Sequence, residues 1–168
     1  MSFEDDLRIL ETQEDLLQFS SFSANDAWRL GSGIRALADG RSKPVAVIIW
    51  MSGQTLFYAA TMAANGRGVT PGNEDWLRRK RNTVIRFGRS SLRVGLELER
   101  DGTTLDIRQG LPLADFAAHG GGFPLLLRGR GCVGAIVVSG LTQREDHALV
   151  VEAIAADLGV HARQLEDR

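Results

Sequence analysis

The sequence predicts an α+β fold in which helices cover both faces of a mostly antiparallel sheet. Two stretches, residues 45–62 and 125–139, each have the pattern of two strands joined by a short glycine-containing turn, as in a β-hairpin. The last of these strands, residues 132–138, is almost continuously apolar. Because a strand with one solvated face alternates between apolar and polar residues, we expect this strand to be covered on both faces.

At 168 residues the chain has the length of one domain with a substantial core. We expect that domain to span residues 1–168, with N-terminal helices over about 3–40 and the sheet with its helices over about 45–159. The formal net charge of −1 argues against nucleic acid as a partner. No apolar run reaches the roughly 20 residues of a membrane span. The acidic N-terminus is unlike a signal peptide, so we expect a cytoplasmic protein with no membrane partner.

The N-terminal region predicts two helices. In residues 3–19, leucines recur at helical spacing along one face and three acidic residues occupy the first turn. A second helix begins after Ser23, with Asp26 three residues on, and ends at the next Asp-Gly pair. Gly31 and Gly33 lower the helix propensity of this segment. Such residues permit close packing of a helix against a neighbouring element.

The middle of the chain predicts a hairpin followed by a third helix. The hairpin covers residues 45–62, and Asn73 is placed to cap the helix, which carries apolar side chains at Trp76, Leu77, Val84 and Phe87. Residues 90–99 fit either a continuing helix or a strand, because part of this segment alternates between apolar and polar residues. Residues 103–108 are ambiguous, and residues 112–118 predict a short helix.

The last helix has the clearest sequence signals. Gly140 ends the preceding strand, and Thr142 lies three residues before Glu145, which is the spacing of a capping box. Gly159 marks the C-terminal end of the helix, whose apolar stripe contains Val150, Val151, Ile154 and Leu158. His147 lies one turn before Val151 on the same stripe, so the pattern directs a polar ring inward.

Two histidines are candidate functional residues. His147 could be a metal or haem ligand or an acid/base group, or a buried histidine that bonds to a backbone carbonyl. His119 precedes Gly120, Gly121 and Gly122. Glycines allow a backbone to approach a ligand closely, but they also serve turns that require a positive φ. No P-loop lysine follows them, so the nucleotide-binding motif is absent.

The strongest local charge feature is the basic run over residues 78–81. Such a run is typical of a solvated helix face or a subunit interface. Alternatively, Arg78 and Arg81 could bind a carboxylate through bidentate contacts. The histidines and the lone Cys132 do not have the spacing of a zinc site. The G-x-S-x-G motif that carries a nucleophilic serine is also absent. We therefore predict no metal site from spacing.

Two segments resemble a known family. Residues 119–154 read HGGGFPLLLRGRGCVGAIVVSGLTQREDHALVVEAI, and residues 76–84 read WLRRKRNTV. Both are similar to the GlcG/HbpS-like haem-degrading-domain family, and most closely to its branch of small uncharacterised bacterial and fungal proteins. The resemblance implies a profilin-like three-layer α/β/α fold with a five-stranded antiparallel sheet, and closed homo-oligomers. It also implies haem as a possible cofactor, since some members of the wider family bind or degrade haem and others are linked to glycolate utilisation.

Three functional hypotheses follow. The first is a small-ligand-binding domain that takes haem or a small anionic metabolite, with ligand-binding residues drawn from His119, Gly120, Gly121, Gly122, His147, Arg78, Arg81 and Arg128. In this hypothesis His147 or His119 would hold a metal only as a ligand of haem iron. The second is an oligomeric scaffold without catalysis. The third is an enzyme acting on haem or a small hydroxy acid, with a histidine as the acid/base group and Arg128 or Arg78 holding a carboxylate.

Overall fold

The computed structural model describes residues 2–166, so Met1, Asp167 and Arg168, which the predicted domain includes, lie outside the described residues. Within residues 2–166 there are six helices and four strands. The helices are α1 (Phe3–Leu16), α2 (Ala24–Ala38), α3 (Pro71–Phe87), α4 (Ser91–Arg100), α5 (Leu105–Gln109) and α6 (Gln143–Leu158). The strands are β1 (Ala46–Met51), β2 (Gln54–Ala60), β3 (Gly122–Leu127) and β4 (Gly131–Ser139).

The four strands form one antiparallel sheet in the order β2-β1-β4-β3. Both predicted hairpins are confirmed, but the five-stranded sheet implied by the resemblance is wrong for the described part of this chain. Beside β3, Phe19 makes a single parallel bridge to Leu127. The Phe19 amide donates to the Leu126 carbonyl, and the Arg128 amide donates to the Phe19 carbonyl, each at 2.9 Å. Because Phe19 bonds to the sheet, the first helix ends at Leu16 and not at residue 19 as predicted.

Helices cover both faces of the sheet, as the sequence predicts. On one face α2 and α6 pack over a large core that includes Leu30, Ile34, Ile49, Ile136 and Ile154. On the other face α3 packs over a smaller cluster that includes Leu77, Val84, Ala135 and Val137. Strand β4 contributes alternate side chains to the two clusters, which explains why its sequence is apolar without alternation.

The segment that the sequence left open, residues 90–99, is helix α4. Ser90 caps this helix by accepting a hydrogen bond from the Arg93 amide at 3.3 Å. The apolar residues of α4 pack in two directions, with Leu92 and Leu96 against α1 and Val94 and Leu98 against Leu105 and Phe116. Two apolar faces on one helix produce the apparent two-residue alternation.

Three local predictions need correction. The N-cap of α3 is Thr70, with Pro71 at the first helical position. Asn73 lies three residues later, and its side-chain oxygen accepts from the Thr70 amide at 3.0 Å. Residues 112–118 form a turn and a loop instead of a helix. The Ala117 amide of this loop donates to the Arg79 carbonyl and to the Thr83 hydroxyl. Hydrogen bonds to α3 therefore take the place of the hydrogen bond that this amide would make within a helix. Strand β3 begins three residues earlier than predicted.

The two glycines of α2 have different roles. A Cβ atom at Gly31 would overlap the ring of Phe57, a buried residue of β2, whereas a Cβ at Gly33 would have no neighbour within 4 Å. We expect Gly31→Ala to lower the free energy of unfolding by about 1 to 3 kcal/mol through overpacking. Gly33→Ala should raise it by roughly 0.5 to 1 kcal/mol, because alanine favours a helix interior. Urea titrations of the two variants would measure this opposite response, and equal effects would contradict the assigned contact.

Candidate functional site

One pocket gathers titratable side chains from three parts of the fold. It lies between α3, the loop before β3 and the turn that joins β4 to α6, and its volume is about 280 Å³. We call it the His119 pocket; it is lined by Asn73, Trp76, Lys80, His119, Ser139, Gly140, Leu141, Gln143 and Asp146. The topology therefore brings together residues that are up to 73 positions apart in the chain, from Asn73 to Asp146.

A buried ion pair forms one wall of the His119 pocket. The Lys80 ammonium lies 2.9 Å from the Asp146 carboxylate and 3.0 Å from the Val138 carbonyl oxygen. The two residues are 3% and 2% exposed. Asp146 also accepts from the Leu141 amide at 3.0 Å. Burial lowers the pKa of Lys80, and the nearby Asp146 carboxylate opposes that effect because it favours the charged form of the lysine.

His119 presents its ring to the same pocket. The residue is exposed, and its imidazole packs edge-to-face on Trp76, with 5.0 Å between ring centroids. On the same indole, the Arg79 guanidinium lies 4.6 Å from the ring centroid. The pKa of His119 is lowered below 6.5, first by burial and then by the positive charges of Lys80 and Arg79. Burial and these two positive charges therefore disfavour the protonated form of His119.

His147 is directed inward, as the sequence predicts, but it does not line the His119 pocket. Its side chain is 1% exposed, and its Nε2 atom lies 2.8 Å from the side-chain oxygen of Gln13. The Gln13 amide nitrogen in turn donates to the Arg163 carbonyl at 2.7 Å. Burial and the Arg144 charge lower the pKa of His147 to about 3. His147 thus connects α6 to α1 and the C-terminal segment.

The three glycines after His119 pack tightly against the protein itself. A Cβ at Gly120 would overlap the carbonyl of Gln143, and a Cβ at Gly122 would lie 2.8 Å from the Val84 side chain. Gly121 has a φ of +117° and lies next to the Lys80 ammonium. These glycines let the loop approach α3 and α6 closely, which places His119 beside Lys80.

The candidate arginines lie outside the His119 pocket. Arg78 pairs with Asp75 and Asp115, each at 2.9 Å. Arg81 lies over the Trp50 ring, 5.4 Å from its centroid, and lines a separate groove of about 580 Å³ together with Arg78. Arg128 is exposed at the turn between β3 and β4. The structure therefore does not bring Arg78, Arg81 and Arg128 to the pocket that contains His119.

Among residues 2–166, no three His, Cys, Asp or Glu side chains are grouped so that they could hold a metal ion. Within the same residues, no helix is both long enough and apolar enough to cross a bilayer.

The sequence pattern did not single out Lys80 or Asp146. Lys80 belongs to the basic run, yet it lies three residues after Leu77 and four before Val84, which are both buried on α3. A lysine on the apolar stripe of a helix is a signal of a buried ion pair. Asp146 offers a similar signal, because it lies four residues before the buried Val150.

Comparisons with known proteins agree with this architecture. Residues 22–155 match the family model described as haem degrading protein HbpS-like. A UPF0303 protein of Azotobacter vinelandii is 48% identical over 165 residues, which cover 98% of this chain and 96% of the relative. A UPF0303 protein of Rhizobium meliloti is 48% identical over 159 residues, or 95% of this chain and 94% of that relative.

Solved structures also resemble this fold. The Ybr137w protein superposes with a TM-score of 0.80 at 31% identity, covering 89% of this chain and 86% of that one. HbpS superposes with a TM-score of 0.59 at 25% identity, and the superposition covers 84% of this chain and 93% of HbpS. The Klebsiella pneumoniae protein ORFY, of the DUF336 family model, superposes with a TM-score of 0.63 at 16% identity, covering 86% of this chain and 95% of ORFY. At this identity the likeness supports the fold alone. On the extent of the model match and of the sequence identity, this chain belongs to the HbpS-like haem-degrading protein family.

Proposed function

We propose that this protein is a small-ligand-binding domain whose His119 pocket takes a small organic anion, such as a carboxylate. The observation that carries the proposal is the convergence of His119, Lys80 and the Trp76 ring on one pocket. Ligand pockets commonly combine an apolar surface with a few polar groups that fix the orientation of the ligand. Here the indole supplies the flat apolar surface, and the imidazole and ammonium supply polar groups.

The electrostatics of the pocket favour an anion. Lys80 and Arg79 both act on the His119 ring with positive charge. Helix α6 is 16 residues long, and its first residue, Gln143, lines the pocket. The N-terminal end of a helix carries a partial positive charge, which stabilises a nearby anion. The first turn of α6 also carries Glu145 and Asp146, which offset this partial charge. The favourable charge for a carboxylate beside His119 therefore comes from α3, through Arg79 and through Lys80, which is already paired with Asp146.

The family name raises haem as an alternative ligand, but the residues present do not fit it well. His147 is almost fully buried and its Nε2 atom is engaged by Gln13, so iron could not reach that atom without rearrangement of the core. His119 is more accessible, but its pocket of about 280 Å³ lies below the usual range of about 300 to 1,000 Å³ for ligand pockets. The same burial removes His147 from an acid/base role on substrate.

Isothermal titration of the purified protein with short carboxylates would test the proposal. We expect saturable binding of one carboxylate per chain, and at least a tenfold loss of affinity in His119→Ala, because a hydrogen bond to a charged group contributes about 1.5 to 3 kcal/mol. His161→Ala is the matched control, since His161 is exposed and outside the pocket. It should bind like the wild type.

Two results would overturn the proposal. One is equal affinity of the wild type, His119→Ala and His161→Ala for every carboxylate tested. The other is a saturable Soret shift with haemin at one equivalent per chain that is lost in His119→Ala, which would establish haem as the ligand. A weak haemin response that is the same in all three proteins is the outcome we expect.

A further inference from the structure

His119 lines two pockets. The second, which we call the Leu113 pocket, has a volume of about 360 Å³ and lies between α4 and the loops on either side of α5. Its apolar walls include Leu98, Leu105, Leu113 and Phe116. Most residues that line the His119 pocket carry a charged, amide, hydroxyl or imidazole group, whereas the Leu113 pocket combines its four large apolar side chains with Arg79, Glu99, Thr103 and Thr104. A mainly polar set of side chains and a set with a large apolar part therefore meet at one imidazole.

Arg79 connects the walls of the two pockets. Its guanidinium packs on Trp76 beside the His119 pocket and donates two hydrogen bonds, of 2.6 and 2.9 Å, to the Leu113 carbonyl. On the opposite side, Gly95 of α4 lies so close to the Ala118 carbonyl that a Cβ would overlap it. The loop over the Leu113 pocket is thus fixed by α3 and α4.

The combined shape and chemistry indicate one amphipathic ligand. Each pocket alone lies near the lower limit of about 300 Å³ for a small-molecule site, and a ligand that extends past the shared His119 ring would occupy both. Leu113 lines this pocket and is 47% exposed. An apolar group placed there would remove this side chain from water, which is favourable in proportion to the buried area.

We propose that the ligand is an amphipathic carboxylic acid, with its carboxylate beside His119 and Lys80 and its apolar chain in the Leu113 pocket. This inference rests on the proposed function, because it places the charged group of the ligand in the His119 pocket. The inference adds the chemical class of the ligand, since a short hydrophilic acid would leave the Leu113 pocket unoccupied. Arg79 is then a positioning residue that holds the wall between head and tail.

A series of unbranched acids tests the inference by calorimetry on the full chain. We expect octanoate to bind the wild type at least tenfold more tightly than butyrate, because each fully buried methylene contributes about fourfold to affinity. Octanol, which has the same chain without the carboxylate, should bind at least tenfold more weakly than octanoate. The His119→Ala variant should weaken both acids.

Two matched variants locate the tail. Leu113→Asn should lower the affinity for octanoate about fivefold to tenfold and leave butyrate within twofold. Ile107→Asn is the control, because Ile107 is 77% exposed on α5 and does not line the pocket. Both positions are at the surface, so neither change should disturb the fold.

The possible failures are distinguishable. Equal affinities for butyrate and octanoate, or an octanoate affinity that Leu113→Asn leaves unchanged, would overturn the inference and leave the proposed function intact. Octanol binding as tightly as octanoate would also overturn it, because the carboxylate would then be irrelevant. No saturable binding of either acid would overturn both proposals.

Discussion

We expect Lys80→Met to lower the free energy of unfolding by about 3 to 5 kcal/mol, which is the usual cost of removing one partner from a buried ion pair. The substitution keeps the length of the side chain but leaves the Asp146 carboxylate, 2% exposed, without its cation. For a domain whose total stability is roughly 5 to 15 kcal/mol, this is a large fraction. Urea unfolding followed by tryptophan fluorescence would measure it.

Two controls distinguish the effect of breaking the ion pair from the effect of replacing a lysine side chain by methionine. Lys43→Met, at an exposed position, should change stability by no more than about 0.5 kcal/mol. The double variant Lys80→Met/Asp146→Asn should recover much of the loss, because an amide at position 146 is neutral and can still accept from the Leu141 amide. A cost below about 1 kcal/mol for Lys80→Met, or no recovery in the double variant, would contradict the assigned pair.

We expect His147 to make the protein sensitive to acid. Its pKa is about 3 in the folded protein and about 6.5 in an unfolded chain. Between these values the unfolded state binds more protons, so stability falls as the pH is lowered through this window and is fully present above pH 6.5. The shift corresponds to roughly 2 kcal/mol lost by pH 5 and about 4 to 5 kcal/mol by pH 3.

Urea titrations at several pH values would measure this contribution. The His147→Gln variant lacks the titrating group, so its stability should fall less steeply than that of the wild type between pH 6.5 and pH 4. His161→Gln, which alters an exposed histidine, should keep the wild-type slope. Parallel curves for the wild type and His147→Gln would contradict the burial assigned to His147.

Signals within a few residues explain what could be predicted from the sequence. The capping box at Thr142 and Glu145 is present, with the Thr142 amide donating to the Glu145 carboxylate at 2.9 Å. The box at Ser23 and Asp26 is also present. Such bonds depend on local spacing, so sequence reports them directly. Continuous apolarity correctly indicated that β4 is covered on both faces.

Features that depend on distant residues were harder to predict. Phe19 leaves the helical path because it pairs with β3, more than a hundred residues later. The alternation in α4 reflects packing on two separate clusters, and sequence period alone does not distinguish that from a strand.

The candidate site shows the same division. His119 and its glycines were recognised from sequence, but their role in close packing was not, because the atoms that they approach belong to α3 and α6. Lys80 and Asp146 are 66 positions apart, and their pairing appears only when α3 and α6 meet. Placing Arg78, Arg81 and Arg128 with His119 relied on charge, and the fold directs these side chains elsewhere.

The measurement that tests the central claim most directly is an NMR titration of the three histidine rings with butyrate at pH 7. We predict saturable shifts at His119, together with a rise in its pKa, because a bound carboxylate offsets the positive charges of Lys80 and Arg79. The signals of His147 and His161 should not move. Saturable binding that leaves His119 unchanged, or shifts at His161 as large as those at His119, would contradict a carboxylate site in the His119 pocket.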